Sequence, residues 1–549
     1  MEFREFADYL GKLEGTNSRL EMTEIVRELL LDSGNDLRLV VLFVQGRLFP
    51  SWDPSELGIA SKLMIKCVSI ATGFSEVKVQ ERIVEKGDTG LACEELFENK
   101  TQTTLYTSTL DLAQIEELAR KISTMEGHGS QDRKTKYIVE ILNSAEGGDV
   151  KYLAKLLLGE MRLGVGEGVV RDAIAKAWDL DPVLVERAFS LRNDYGEIAV
   201  IARDKGTRGL EAVDLKLGRP LRPMLAQTVK DVSEAFDAFK PAAFEVKYDG
   251  MRTQIHVFDG NVRVFTRRLE DVTKQFPDIV EEVRERVKTD NCVIEGESVA
   301  VNDKEEPRPF QVLSKRIKRK YKIKETIKEI PVVLYLFDCM YLEGKTLVKT
   351  PLRERRELLE SIVKESDRLK LSKLLVTDRE EPANEFYQKA LDKGHEGVMI
   401  KNLSAEYKPG SRVGYMYKLK PVAETLDLVV VGAEQGKGRR TKWFGSYLLA
   451  CREEDTGKFL EIGKMATGLS DEQLETLTEK LEDDVLGKKG EKVRLNPRLV
   501  LEVGYQDLQK SQTYSSGYAL RFPRLIRIRE DKSPQEAESL GRVIELAGS

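Results

Sequence analysis

The chain has 549 residues, too many for one hydrophobic core and enough for three or four domains of ordinary size. Its formal net charge of −5 excludes a uniformly basic nucleic-acid binder and leaves local patches to decide the partner. Five scattered cysteines (Cys67, Cys93, Cys292, Cys339, Cys451) form no Cys-x-x-Cys pair, which argues against a zinc site or disulfide framework and for a reducing compartment. No run reaches the roughly 18 apolar residues of a membrane span. Met1 to Phe6 carries no apolar leader, so a cytoplasmic protein without membrane contact is expected.

Up to residue 218 apolar residues recur at three-to-four spacing, as in 23–30, 110–122 and 150–158, which predicts an all-α domain. Leu163-Gly164-Val165-Gly166-Glu167-Gly168 lies between two such patterns. It follows a helix rather than a strand and lacks Gly-Lys-Ser/Thr, so it is neither a dinucleotide nor a Walker loop. It is either a packing turn or a place where backbone amides reach a phosphate, with Arg162 as the flanking cation. Arg219-Pro220 and Arg222-Pro223 then break the helical pattern and set a boundary at 218.

Residues 219–421 read as an α+β domain. Phe244 and Val246 alternate with Glu245 and Lys247 as in a half-buried strand, and Asp249-Gly250 supplies a turn. Strands over 252–258 and 262–267 are joined at Asp259-Gly260-Asn261. Lys315 to Lys324 holds seven cations in ten residues, which reads as phosphate-backbone contact, led by Lys315 and Arg316, or as a solvated face. Short apolar runs at 426–431, 447–451 and 499–503 predict a small β-barrel over 422–549. It ends in Arg521 to Lys532, where Ile526 and Ile528 alternate with Arg527 and Arg529 as a strand with one charged face.

Lys247 carries the most chemistry. A primary amine attacks phosphorus only as the neutral base, so it needs desolvation or neighbouring cations. Lys418 and Lys420, alternating around Leu419, could face one phosphate site and supply that field, as could Arg252. Glu297 and Glu396 end strand-like runs, and two converging carboxylates would suit octahedral magnesium. Each has a plain alternative: a solvated lysine at an Asp-Gly turn, or surface carboxylates.

In order along the chain stand Lys247-Tyr248-Asp249-Gly250, Phe265 to Asp271, Ile294-Glu295-Gly296-Glu297 and Leu336-Phe337-Asp338. Glu396 to Lys401, Tyr417-Lys418-Leu419-Lys420-Pro421, Arg521-Phe522-Pro523-Arg524 and Asp531-Lys532 follow. With these the chain resembles the ATP-dependent DNA ligases, in particular the archaeal type that shares its core with eukaryotic replicative ligases. The resemblance covers nearly the whole chain. It implies a helical DNA-binding domain (1–218), a nucleotidyltransferase or adenylation domain (219–421) and an OB-fold (422–549).

By that resemblance Lys247 stores AMP from ATP, Glu245 accepts the adenine amino group, and Phe337 and Met399 flank the base. Glu297 serves ribose or metal, Glu396 serves metal, and Lys418 and Lys420 serve the phosphates. Arg252 and Arg267 contact AMP or the 5′-phosphate of a nick, while Arg521 and Arg527 act on the β,γ-phosphates. Arg162, Gly164 and Gly166 meet the DNA minor groove. The resemblance further implies ATP and Mg2+ (Mn2+ as substitute), nicked duplex DNA and a monomer. Gln102, Leu105 and Tyr106 loosely resemble a peptide for the sliding clamp PCNA. An mRNA guanylyltransferase shares Lys-x-Asp-Gly and the barrel but lacks the helical domain. An RNA ligase fits the motifs but not the domain order, and an NAD-dependent DNA ligase would carry a zinc-type cysteine cluster. A non-catalytic DNA scaffold would not need intact Lys247, Glu396, Lys418 and Lys420.

Overall fold

The computed structural model describes all residues except 102–109, 126, 128, 146, 320, 422–424, 437–439, 467–468, 506 and 549. It forms two compact units, Met1–Lys420 and Pro421–Ser549. Gln102, Leu105 and Tyr106 lie outside the described residues. Among the described residues no helix is long and apolar enough to cross a membrane, and the five cysteines are buried free thiols.

Residues 3–211 hold helices and no strand among the described residues. The three-to-four spacing of the sequence is realised as buried stripes. In helix Arg19–Asp32, Met22, Val26, Leu29 and Leu30 face the core, and the Ser18 side chain caps its start by accepting from the Glu21 amide. Helix Asp149–Leu158 stops at Gly159, whose left-handed backbone forms the C-cap. The chain then runs without helix to Gly166, the N-cap of helix Glu167–Ala177.

From residue 227 two mainly antiparallel sheets take over. Their strands, in chain order, are β1 (Gln227–Val229), β2 (Ala242–Lys247), β3 (Met251–Phe258), β4 (Asn261–Thr266), β5 (Cys292–Ala300) and β6 (Val332–Leu342). There follow β7 (Lys345–Thr346), β8 (Leu369–Leu371), β9 (Leu374–Thr377), β10 (Gly397–Asn402) and β11 (Met416–Leu419). One sheet has the order β1-β11-β10-β2-β9, with β1 parallel to β11 at its edge. The other runs β4-β3-β5-β6-β7, with β8 parallel to β6.

Period-two alternation gives each sheet an apolar and a polar face. Phe244, Val246, Val398, Ile400 and Leu419 of the first sheet pack with Phe236, Ala383 and Ala390 of helices Val232–Ala238 and Glu380–Asp392. Ile255, Val264, Ile294 and Leu334 of the second pack with Ile279 and Val283 of helix Pro277–Arg286 and Leu359 of helix Leu352–Ile362. The polar faces meet: the Lys401 ammonium on β10 lies 4.5 Å from the centre of the Phe337 ring on β6.

Asp259 and Gly260 both take positive φ in the β3–β4 hairpin, as a tight primed turn demands. Asp249-Gly250 is different. It joins β2 to β3, which belong to separate sheets, so it is a sheet-to-sheet bend rather than a hairpin turn. A Cβ on Gly250 would lie 2.4 Å from the Ser298 carbonyl oxygen, and the Asp249 carboxylate accepts from the Phe310 amide.

The second unit is strand-rich: β12 (Thr425–Gln435), β13 (Phe444–Arg452), β14 (Phe459–Met465), β15 (Val485–Lys489), β16 (Lys492–Leu495), β17 (Val500–Gly504), β18 (Asp507–Lys510), β19 (Tyr518–Arg521) and β20 (Arg524–Ile528). The order β14-β13-β12-β16-β15 is extended by β17, which pairs with β12 and β20, and β18-β19 is a separate hairpin. Leu428, Tyr447, Ile462 and Leu501 form its core with Leu477 and Leu481 of helix Asp471–Glu482. The expected alternation in β20 does not hold. A register shift opposite Glu502/Val503 leaves Ile526 55% exposed, while Leu525 and Ile528 turn toward the core.

Candidate active site

Cross-strand register brings distant residues onto one polar face. Lys247 pairs with Gly397, Glu245 with Met399, and Met399 in turn with Lys418. Lys420 follows one residue beyond β11. Gly397 is required at the centre of this face, because its φ is +133° and a Cβ there would lie 2.2 Å from the Leu419 carbonyl oxygen. The close approach sets β11 beside the nucleophile candidate.

Lys247 donates to the Glu396 carboxylate, 149 residues away in sequence. Lys420 is 2.6 Å from the same oxygen. Burial pushes the Glu396 carboxyl up, but the Lys247 and Lys420 ammoniums outweigh it and hold it down at about 2. Burial lowers Lys420, with Lys247 adding to the effect. Lys418 is lowered by burial and then by Lys420, Lys247, Arg412 and Arg267. Arg267 is thus within electrostatic reach of the phosphate candidates. Glu396, expected as a metal ligand, is here the counterion of two lysines.

Glu297 stands opposite Arg252 in the β3–β5 ladder. Burial raises its carboxyl to about 7 against the pull of Lys247 and Arg252, and Glu396 and Asp249 push it further up. No group of three or more metal-ligating side chains exists among the described residues. Two neighbouring carboxylates nevertheless fit Mg2+, which keeps several waters and takes its remaining oxygens from substrate phosphates.

At the other end of the face every charge is paired. Glu245 is 2% exposed, and its oxygens lie 2.6 Å from Lys401 Nζ and 3.6 Å from Arg356 NH1. Asp338 and Arg355 form a buried two-point pair at 2.7 and 2.9 Å. Phe337 lines a cavity of about 20 Å3 together with Met224, Arg252, Lys401 and Tyr407. Arg252, which the resemblance gives to AMP or the 5′-phosphate, is held by Glu295 at 2.5 Å, the Tyr407 hydroxyl at 3.2 Å and the Met224 carbonyl at 3.1 Å. Tyr407 Oη accepts from the Met224 amide and donates to Glu295, so the pocket floor grips the segment entering the domain.

The remaining sequence-predicted residues lie elsewhere. Arg162, Gly164 and Gly166 are exposed in the loop before helix Glu167–Ala177, and Gly164 has φ +77°. Lys315 is exposed, but Arg316 is a correction. It is fully buried, ion-pairs with Asp278 and donates to the Gln275 and Ile330 carbonyls, so it cannot reach a DNA phosphate. The apolar side of helix Phe310–Ile317 turns it inward. Arg521 and Arg527 belong to the second unit, where Arg527 pairs with Glu502 at 2.6 Å yet stays 63% exposed. Arg529 and Lys532 of the same segment bind Asp427 and hold the barrel together.

Sequence reasoning missed Glu295, Arg356, Lys401 and Tyr407. For Glu295 a signal existed: a carboxylate two residues before Glu297 in an otherwise apolar strand shares its face with Arg252 and Gln254. Arg356 had none, because it lies on a helix with polar residues all along its length.

Family profiles match three stretches: "DNA ligase N terminus" over 2–175, "ATP dependent DNA ligase domain" over 223–420 and "ATP dependent DNA ligase C terminal region" over 440–532. The chain is 43% identical to a DNA ligase of Thermococcus fumicolans, covering 100% of this chain and 98% of that one. It is 42% identical to a DNA ligase of Archaeoglobus fulgidus, with the same coverage. A solved chain described as Pmar-Lig_Pre shares its fold at TM-score 0.58 and 18% identity, covering 96% of this chain and 99% of that one.

Proposed function

The chain belongs to the ATP-dependent DNA ligase family, whose general activity is nick sealing, and we propose that it does this by storing AMP on Lys247. The carrying observation is the meeting of Lys247, Lys418, Lys420 and Glu396 on one face beside the buried carboxylate of Glu245.

ATP enters with its base toward Glu245 and Phe337 and its phosphates toward the lysines. Lys247 leaves its pairing with Glu396, gives up a proton to water and attacks the α-phosphorus. The new N–P bond forms as the bond to pyrophosphate breaks, and Lys418 and Lys420 offset the charge on the phosphate oxygens. AMP then passes to the 5′-phosphate of the nick, and the 3′-hydroxyl displaces it. Glu297 and Glu396 would hold Mg2+, or Mn2+ as a substitute, which offsets phosphate charge when bound.

In this reading Met399 flanks the base opposite Phe337, and Arg252 and Arg267 contact AMP or the 5′-phosphate of the nick. Arg521 and Arg527 attend the leaving pyrophosphate, and Arg162 with the Gly164 and Gly166 backbone grips the duplex. Gln102, Leu105 and Tyr106 are assigned to a sliding clamp, the chain acts as a monomer, and the domain limits are 1–218, 219–421 and 422–549. Incubation with α-labelled ATP or GTP and Mg2+ tests this. Covalent label from ATP, lost in Lys247→Ala, together with sealing of nicked duplex DNA, is expected. Label from GTP alone, or no label, contradicts it.

A further inference from the structure

Glu245 is a carboxylate sealed from water, and how it is held decides which of its lone pairs a ligand can use. Lys401 binds Oε2 at 2.6 Å. Oε1 faces a second cation: Arg356, on helix Leu352–Ile362, is itself 7% exposed and is anchored twice, with Nε donating to Glu360 at 2.7 Å and NH2 to the Ser372 carbonyl at 2.9 Å. Its third nitrogen, NH1, is buried, makes no hydrogen bond among the described residues and lies 3.6 Å from Glu245 Oε1. A buried donor left without a bond is costly. The cheapest relief is a small approach of the two groups.

We propose that Arg356 is a positioning residue for base selection. It fixes Glu245 from the side opposite Lys401, so that the remaining lone pair of Oε1 accepts a hydrogen bond from an exocyclic amine. A carboxylate so held accepts from the 6-amino group of adenine. It repels the 6-oxo group of guanine or hypoxanthine, where two acceptors would face each other. The rejection is strong because the mismatched acceptors are buried. This rests on the reading of Glu245 as the base acceptor and adds the residue that sets its orientation.

The test measures enzyme adenylylation with ATP, GTP and ITP in the full-length protein, alongside sealing of a nick already carrying AMP, a step that selects no free base. Arg356→Met is expected to raise the KM for ATP about tenfold with kcat changed less than about threefold, and to cut the ATP over ITP preference about tenfold. Sealing of the pre-adenylylated nick, whose adenine is already tethered to the DNA, should fall less than about threefold. Arg356→Lys, which keeps the charge but loses the fork, should fall between wild type and Arg356→Met. Glu245→Gln serves as the reference for the underlying reading. If it shifts the base preference and Arg356→Met does not, the role given to Arg356 is overturned while the Glu245 reading stands. If Glu245→Gln leaves the preference untouched, both are overturned. If Arg356→Met fails to seal the pre-adenylylated nick, Arg356→Lys decides: a reduced preference supports the role, and an unchanged one overturns it.

Discussion

The two ends of the polar face between the sheets are built on opposite electrostatic plans. Around Glu245, Asp338 and Glu295 each carboxylate is buried and matched by Lys401 and Arg356, by Arg355, or by Arg252. Around Lys247 three ammonium groups crowd a single paired carboxylate, Glu396, and burial lowers two of the lysines. A closed set of pairs gives a rigid pocket that reads shape and hydrogen bonds. An excess of cations gives a site that is complete only when an anion such as triphosphate enters. In the proposed reading base recognition and phosphate chemistry are separated along one face by strand register.

If the base end is held by pairing, opening one pair should cost stability rather than chemistry alone. Arg355→Leu leaves Asp338 buried without its partner and is expected to lower the unfolding free energy by about 3–5 kcal/mol, read by denaturant titration. The phosphate end should respond oppositely. Lys420→Ala should leave the unfolding midpoint nearly unchanged while slowing enzyme adenylylation about 10²-fold in single turnover, as loss of one charge-stabilising donor does. Equal effects on stability and rate at both ends would erase the distinction.

The basic run sharpens the contrast between buried and exposed cations. Lys315→Gln is expected to reduce the slope of log affinity for nicked DNA against log salt by about 1, whereas Arg316→Gln should destabilise the fold and leave the slope alone. A pH effect is smallest. The Glu297 carboxyl is raised to about 7, above its unfolded value, so its contribution to stability is complete below the unfolded value and is lost as pH rises through about 7. Glu297→Gln should flatten the fall in stability of the nucleotide-free protein across that window, by less than about 2 kcal/mol because solvent screens the half-buried side chain.

Local chemistry made much of this legible. The helical stripes, the Asp259-Gly260 hairpin and the alternation of Glu245 with Lys247 each follow from spacing within a few residues. Partnerships across the fold were not legible. That Glu396 binds Lys247 depends on β2 and β10 lying antiparallel with Gly397 opposite the lysine, which only the sheet order reveals. Arg316 and Lys315 look alike in sequence, and one helix face separates them. The register shift that exposes Ile526 has no sequence mark, because a bulge is set by the partner strand.

The central claim is that Lys247 is the one amine that takes the nucleotide. Intact-mass measurement and peptide mapping of the protein after incubation with ATP and Mg2+, with Lys247→Ala in parallel, test it most directly. A single AMP adduct confined to the peptide containing Lys247, absent from the variant and released on adding nicked DNA, is predicted. An adduct on Lys418 or Lys420, or one that persists in Lys247→Ala, would contradict it.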